Sequence, residues 1–370
     1  MVGHALAALP CGRGGVVAQE DAVVSAREVQ WAEVLTRVLR GEDLGEDEAA
    51  EVMAALMRGE GEVAQVAGLL VALAAKGEAP SEIAGFVRAM LEAAEPIEVD
   101  GPLVDTCGTG GDRSGTFNIS TVAALVVAAA GQPVAKHGNR AASSTCGSAD
   151  LLEAFGLDLE LPPEHVATTL RELNIGFLFA RRFHPAMRHV APVRAQLGVR
   201  TVFNVLGPLS NPADAAHQVV GVSDERMAPV MAHALARLGR RHALVFRGHL
   251  GLDELSTTGP SQVWEVVDGE VRRWELDPAE LGIERATLED LQGGDVAANV
   301  AIAESVLAGE PGPRADIVAL NAAAALYAAD RVADLAAGLD RAREVLSSGR
   351  ALRLRDAWVA RSRELAGRPA

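Results

Sequence analysis

Three glycines fall within four residues in the segment Asp105-Thr106-Cys107-Gly108-Thr109-Gly110-Gly111-Asp112. Glycine reaches positive φ and lets the main chain approach a ligand closely, so successive N–H groups there can form a nest for an anion. Neither familiar phosphate loop fits. A dinucleotide fingerprint needs glycine where Arg113 stands, and a Walker loop needs lysine where Thr116 follows Gly115. A tight strand-to-helix turn would use the same glycines. The next segment, Thr116-Phe117-Asn118-Ile119-Ser120-Thr121, is rich in hydroxyls. Such residues cap a helix, or meet an anion at the positive end of its dipole.

Lysine occurs only at Lys76 and Lys136. Lys136 ends an apolar stretch and opens Lys136-His137-Gly138-Asn139-Arg140, with Ser143, Ser144 and Ser148 close behind. An ammonium there is a compact charge suited to phosphate, although a solvated loop could also carry it. A single His137 fits a structural role as well as a chemical one. Arg181, Arg182, His184, Arg188, His189 and Arg194 form a basic cluster in an acidic chain. At 3.6 residues per turn they cannot all share one face, so some are surface residues. Gly207-Pro208-Leu209-Ser210-Asn211-Pro212 reads as a rigid supporting loop. Asp253 and Glu254 are adjacent carboxylates of the kind that ligate Mg²⁺ beside phosphate, or simply face solvent. No zinc spacing and no nucleophile–base pair is readable. Taken together, these residues suit a polyphosphate with Mg²⁺.

The elements that must position them follow from pattern. At 370 residues the chain is long enough for two domains. The net charge of -16 makes it a poor non-specific binder of nucleic acid or anionic membranes. Three scattered cysteines, Cys11, Cys107 and Cys146, suggest a reducing compartment rather than a disulfide framework. No apolar run is long enough for a membrane span, and no secretory signal is evident. A cytoplasmic protein is expected.

Residues 1–28 read as a flexible tail. Trp31, Val34, Leu35, Val38 and Leu39 then repeat at helical spacing, and further helices are predicted over 46–58, 63–76 and 80–94. From Pro96 the texture becomes βαβ. Strands are predicted at 103–105, 133–136, 177–179, 201–204, 218–222, 242–246 and 262–267. Helices are predicted at 121–130, 146–155, 163–173, 226–238, 299–307, 314–327 and 333–347. That alternation implies an α/β domain with a central, mostly parallel sheet flanked by helices.

The motifs Gly108-Thr109-Gly110-Gly111-Asp112, Asn118-Ile119-Ser120-Thr121, Lys136-His137-Gly138-Asn139-Arg140, Arg200–Pro208 and Gly251-Leu252-Asp253-Glu254 stand in one order. In that order the chain resembles the anthranilate phosphoribosyltransferase family, from about residue 31 to about 365. The resemblance implies transfer of the phosphoribosyl group of phosphoribosyl pyrophosphate (PRPP) to anthranilate, releasing pyrophosphate, in tryptophan biosynthesis. It implies a small all-helical domain over 29–97, with helices near 163–197 returning to it, and a larger α/β PRPP-binding domain over 98–370. It implies a homodimer formed through the helical part.

By position, Gly108, Gly111, Asp112, Thr116, Asn118, Ser120, Thr121, Lys136, Ser144 and Ser148 would hold PRPP, with Ile119, Gly138, Arg140 and Ser143 in the same stretches. Ser120, Asp253 and Glu254 would bind two Mg²⁺ ions. Asn139 and Arg194 would contact anthranilate, with His137 and His184 along its route. Cys146 departs from the family, standing where serine is common, and a thiol donates weakly. A pyrimidine nucleoside phosphorylase is the rival enzyme, and a nucleic-acid-binding relative the rival of another class.

Overall fold

The computed structural model describes Met1 and residues 29–141 and 145–368. The expected tail beyond Met1, and with it Ser143 and Ser144, lies outside those residues. The chain begins with α1 (Trp31–Leu39), α2 (Glu46–Arg58), α3 (Val63–Lys76) and α4 (Pro80–Glu92). Gly59, in the left-handed region, ends α2, and Gly77 ends α3. Pro80 occupies the first turn of α4, where its missing N–H costs nothing.

Strand and helix then alternate: β1 (Val104–Gly108), α5 (Ile119–Ala129), β2 (Val134–Gly138), α6 (Ser148–Phe155), α7 (Pro163–Leu173) and β3 (Ile175–Phe179). Three short helices follow, α8 (Ala180–Phe183), α9 (Ala191–Leu197) and α10 (Phe203–Leu209). Next come β4 (His217–Gly221), α11 (Met227–Arg237), β5 (His242–Arg247), β6 (Ser261–Val267) and β7 (Glu270–Leu276). The chain closes with α12 (Val296–Leu307), α13 (Pro313–Ala328), α14 (Leu335–Ser347) and α15 (Arg350–Leu365).

The seven strands form one sheet in the order β3-β2-β1-β4-β5-β6-β7. β1 to β5 are parallel, and β6 and β7 add antiparallel. Side chains alternate between two cores, as period 2 demands. Leu244 and Phe246 of β5 join the core that holds α5 and α13. Ala243 and Val245 join the core that runs through α11 into α1–α4. The helical module is therefore continuous with one face of the sheet. α7 packs on β3 and α15, whereas the segment 185–209 meets α2, α3 and α4.

The connection from β1 leads to β2 on one side, and that from β4 leads to β5 on the other. Ligands of open α/β sheets bind at such a switch point, outside the carboxyl ends of the strands. Here the loops after β1 and β4 meet, with Gly108 in register with Gly221.

Three local expectations are corrected. The predicted strand at 201–204 opens helix α10 instead. Val202, Phe203, Leu206 and Leu209 are buried at helical spacing against the helical module, and that packing overrides the β-branched local pattern. The strand β7 and the helix α15 were not expected. β7 is an exposed, charged edge strand, and α15 buries only Ala351, Trp358 and Ser362.

Candidate active site

The glycine-rich loop leaves the end of β1 and is tied down from three sides. The Thr109 N–H donates to the Gly221 carbonyl at 2.9 Å, and the Ser223 hydroxyl donates to the Gly110 carbonyl at 2.9 Å. The Gly110 N–H donates to Asp253 Oδ2 at 2.7 Å. Gly110 and Gly111 both have positive φ. Arg200 lies over Gly111 so closely that a Cβ there would overlap its guanidinium. At the end of the loop, Asp112 accepts from the N–H and the hydroxyl of Ser114, at 3.1 and 2.7 Å.

α5 points its N-terminus at this loop. Its N-cap residue is Asn118, which makes no side-chain capping bond. The Ser120 N–H donates instead to Glu254 Oε1 at 3.1 Å. A carboxylate thus sits at the positive end of the helix dipole. Asn118 donates to the Cys146 carbonyl, and its Oδ1 is buried without a partner. Thr116 belongs to a bridge with Gln292, not to the helix start. The side chains of Ile119 and Thr121 are buried.

Lys136, wholly buried, projects from β2 toward the same helix start. Its Nζ donates to the Thr106 carbonyl at 2.6 Å and lies 3.5 Å from Ser120 Oγ. Beneath it, Asp105 accepts from the His137 N–H at 3.1 Å, and its Oδ2 has no partner. Burial pulls the Lys136 pKa down and pushes Asp105 up to about 6, with the Lys136 charge opposing that rise.

Asp253 and Glu254 are the strongest sign of a cationic ligand. Burial first, and the Asp112 charge second, push Asp253 up to about 7. Burial and then the Asp253 charge raise Glu254 well above the usual carboxylate range. Buried acids that repel one another are relieved by a cation. Among the described residues no group of three or more His, Cys, Asp or Glu is arranged to hold a metal by itself. The Asp253–Glu254 pair fits Mg²⁺, which takes one or two carboxylates and fills its octahedron with water and phosphate oxygens.

A second cluster lies beside the first. His137 Nδ1 is 3.1 Å from the Gly207 carbonyl, and His184 Nε2 is 2.9 Å from the Ser210 carbonyl. The two rings are 5.1 Å apart. Arg194 places its guanidinium 5.1 Å from the centre of the Phe203 ring. Its side chain has no acid partner among the described residues, and burial lowers its pKa. Phe203 and Gly207 lie one turn apart on α10. The supporting loop read from Gly207–Pro212 is thus the end of a helix whose last carbonyls also accept from both histidines.

Other expected residues stand further out. Arg140 is exposed and committed to Asp150 and Glu153. Asn139 Oδ1 accepts from the Arg140 N–H, and the Asn139 carbonyl accepts from the Ser148 hydroxyl. Cys146 is buried, and its thiol is pushed up to about 11, chiefly by burial. Arg181, Arg188 and His189 are exposed surface residues. Asp105, Ser223 and Arg200 were missed as parts of the site. The isolation of an aspartate inside an apolar strand was the available signal for Asp105.

Gly221 allows the two loops to touch. A Cβ there would overlap the Asp253 carbonyl oxygen. Gly221→Ala is expected to cost about 1–3 kcal/mol of stability and to displace Asp253. Thermal melting together with activity checks this; an unchanged melting temperature would contradict it.

The comparisons with known proteins agree with this geometry. Residues 32–94 match the model of the glycosyl transferase family, helical bundle domain, and residues 100–352 match its a/b domain. An anthranilate phosphoribosyltransferase of Roseiflexus sp. (strain RS-1) is 56% identical over 320 residues, 86% of this chain and 94% of that one. The crystal structure of the Thermus thermophilus enzyme of that name superposes with a TM-score of 0.85 at 55% identity, covering 89% of this chain and 99% of that one. A Saccharomyces cerevisiae anthranilate phosphoribosyltransferase in complex with PRPP and Mg superposes with a TM-score of 0.83 at 27% identity, covering 92% and 99%. With identity above half over most of both sequences, and with the same two-part fold, this chain belongs to the anthranilate phosphoribosyltransferase family.

Proposed function

We propose that the protein transfers the 5-phosphoribosyl group of PRPP to anthranilate, giving N-(5'-phosphoribosyl)-anthranilate and pyrophosphate, in tryptophan biosynthesis. One observation carries this reading. A glycine-rich loop backed by the half-buried acids Asp253 and Glu254 stands beside an arginine without an acid partner and a pair of histidines. The first half suits a pyrophosphate with its cation. The second suits an aromatic amine that carries a carboxylate.

In this reading the loop 108–112, Asn118, Ser120, Lys136 and Ser148 hold PRPP. Thr116, Thr121 and Ser144 are further PRPP contacts in this reading, and Ile119, Gly138, Arg140 and Ser143 lie in the same stretches of sequence. Ser120, Asp253 and Glu254 would hold two Mg²⁺ ions. Bound Mg²⁺ supplies neutralisation of the charge that grows on the departing pyrophosphate. Arg194 pairs with the anthranilate carboxylate and Asn139 borders the ring. Holding both substrates in line supplies much of the rate, and Lys136 with the loop N–H groups beyond Gly110 stabilises the leaving group. No covalent enzyme intermediate is required.

The helical domain covers 29–97; of the helices near 163–197 expected to return to it, those from 185 onward do and α7 does not, and the α/β domain over 98–370 binds PRPP. The protein acts in the cytoplasm. No helix among the described residues is long and apolar enough to cross a membrane. A homodimer forms through α1 and α3, which pack together and leave Leu39, Val63 and Val71 exposed. Val71→Glu is expected to shift the protein to monomers in sedimentation equilibrium, and an unaltered mass would move the interface elsewhere.

The direct test of the function is pyrophosphate release from PRPP. Release that requires anthranilate supports the transferase. Phosphate-dependent cleavage of a pyrimidine nucleoside, without use of PRPP, would support the phosphorylase instead.

A further inference from the structure

We infer that His137 is the proton acceptor for the attacking amine, and that the Gly207 carbonyl fixes Nε2 as the receiving atom. This rests on the proposed transfer to an aromatic amine and adds a catalytic residue to it.

A carbonyl oxygen only accepts, so the contact between His137 Nδ1 and the Gly207 carbonyl at 3.1 Å requires a proton on Nδ1. A neutral imidazole with Nδ1–H presents a lone pair at Nε2. The ring is held neutral: burial first, and the neighbouring His184 second, push its pKa down to about 3. His137 Nε2 is buried and has no hydrogen-bond partner. An unmet buried acceptor is costly, and such an atom in a native structure calls for a donor.

The surroundings say which ligand donates to it. Nε2 cannot receive from His184, whose own Nε2–H is spent on the Ser210 carbonyl at 2.9 Å. Both histidines are set by carbonyls at or just past the end of α10. One turn back on that helix, Phe203 carries the unpaired Arg194 guanidinium at 5.1 Å. A donor for His137 and an anion for Arg194 are thus wanted beside the same short helix. An aromatic amine with an ortho carboxylate offers both.

The step balances. The amine lone pair forms the bond to C1' of the ribose as the C1'–O bond to pyrophosphate breaks, and pyrophosphate leaves with that electron pair. The nitrogen, now carrying excess charge, passes one proton to His137 Nε2. The imidazolium releases it to solvent as the products depart. An N-alkylated anilinium is a strong acid, so an acceptor of low basicity suffices, and its weak basicity keeps it free of a proton between turnovers.

His137→Gln separates orientation from proton transfer, because an amide oxygen can accept a hydrogen bond but cannot take the proton. With wild-type turnover of anthranilate and PRPP established first, the variant is expected to lose about 100-fold in kcat while keeping its KM for PRPP. Added imidazole is expected to restore part of the rate to His137→Gly. A kcat near wild type in His137→Gln, or a loss confined to the KM for PRPP, would overturn the proposal. Absence of turnover in the wild type would instead defeat the functional reading beneath it. Should the variants fail to fold, ¹⁵N spectra of histidine-labelled wild type decide: Nδ1–H with an unprotonated Nε2 supports the inference, and the opposite tautomer overturns it.

Discussion

Asp253→Asn and Glu254→Gln each lower kcat by about 10²–10³-fold and flatten its dependence on Mg²⁺, while the protein remains at least as stable as the wild type. The amides keep the two hydrogen bonds that matter to the fold, from the Gly110 N–H to residue 253 and from the Ser120 N–H to residue 254. What they remove is charge that burial already disfavours. Asp253 is raised from the usual carboxylate value to about 7. An acid whose folded pKa is raised binds its proton more tightly when folded. Stability is therefore lost as pH rises from the unfolded value through about 7. A cation that binds the ionised pair restores it. Mg²⁺ is accordingly expected to raise the melting temperature more at about pH 8 than at about pH 5, and to do so less in either variant. Kinetics at limiting Mg²⁺, with melting curves alongside, check both halves. Normal rates in both variants would remove the metal role.

Arg194→Ala raises the KM for anthranilate by about 10–100-fold, as expected for the loss of a charge-assisted pair worth about 1.5–3 kcal/mol. The KM for PRPP changes little, because Arg194 stands on the histidine side, over Phe203. The wild-type guanidinium is half-buried and has no acid to satisfy it among the described residues, so its removal leaves no unpaired carboxylate behind. Arg194→Lys recovers only part of the affinity, since an ammonium cannot form the planar two-point contact or stack on Phe203 in the same way. Steady-state kinetics with each substrate varied separately test this. An unchanged anthranilate KM would place the carboxylate elsewhere.

Much of this was legible in the residues. α1 to α4 declare themselves by apolar stripes and glycine stops, and β1, β2, β4 and β5 by short apolar runs between helices. The glycine loop, Lys136 and the Asp253–Glu254 pair carry chemistry that composition alone makes unusual. Other features depend on packing that no local window contains. The start of α10 reads as a strand until Leu206 and Leu209 are seen to share its buried face. The hydroxyls at Thr116, Ser120 and Thr121 suggest side-chain caps, yet a carboxylate from 134 residues further on serves the Ser120 N–H. Asp105 gains meaning only when β2 brings Lys136 alongside it, and Arg200 only when it reaches across Gly111. The roles of both histidines rest on carbonyls at the end of a helix that local pattern conceals.

Anthranilate fluorescence, followed in purified protein with PRPP and Mg²⁺, tests the central claim most directly. The expected result is a fall in fluorescence that requires all three components and stops when any one is withheld. Steady fluorescence from folded protein with PRPP demonstrably bound would contradict it, leaving a phosphate site that serves a different acceptor.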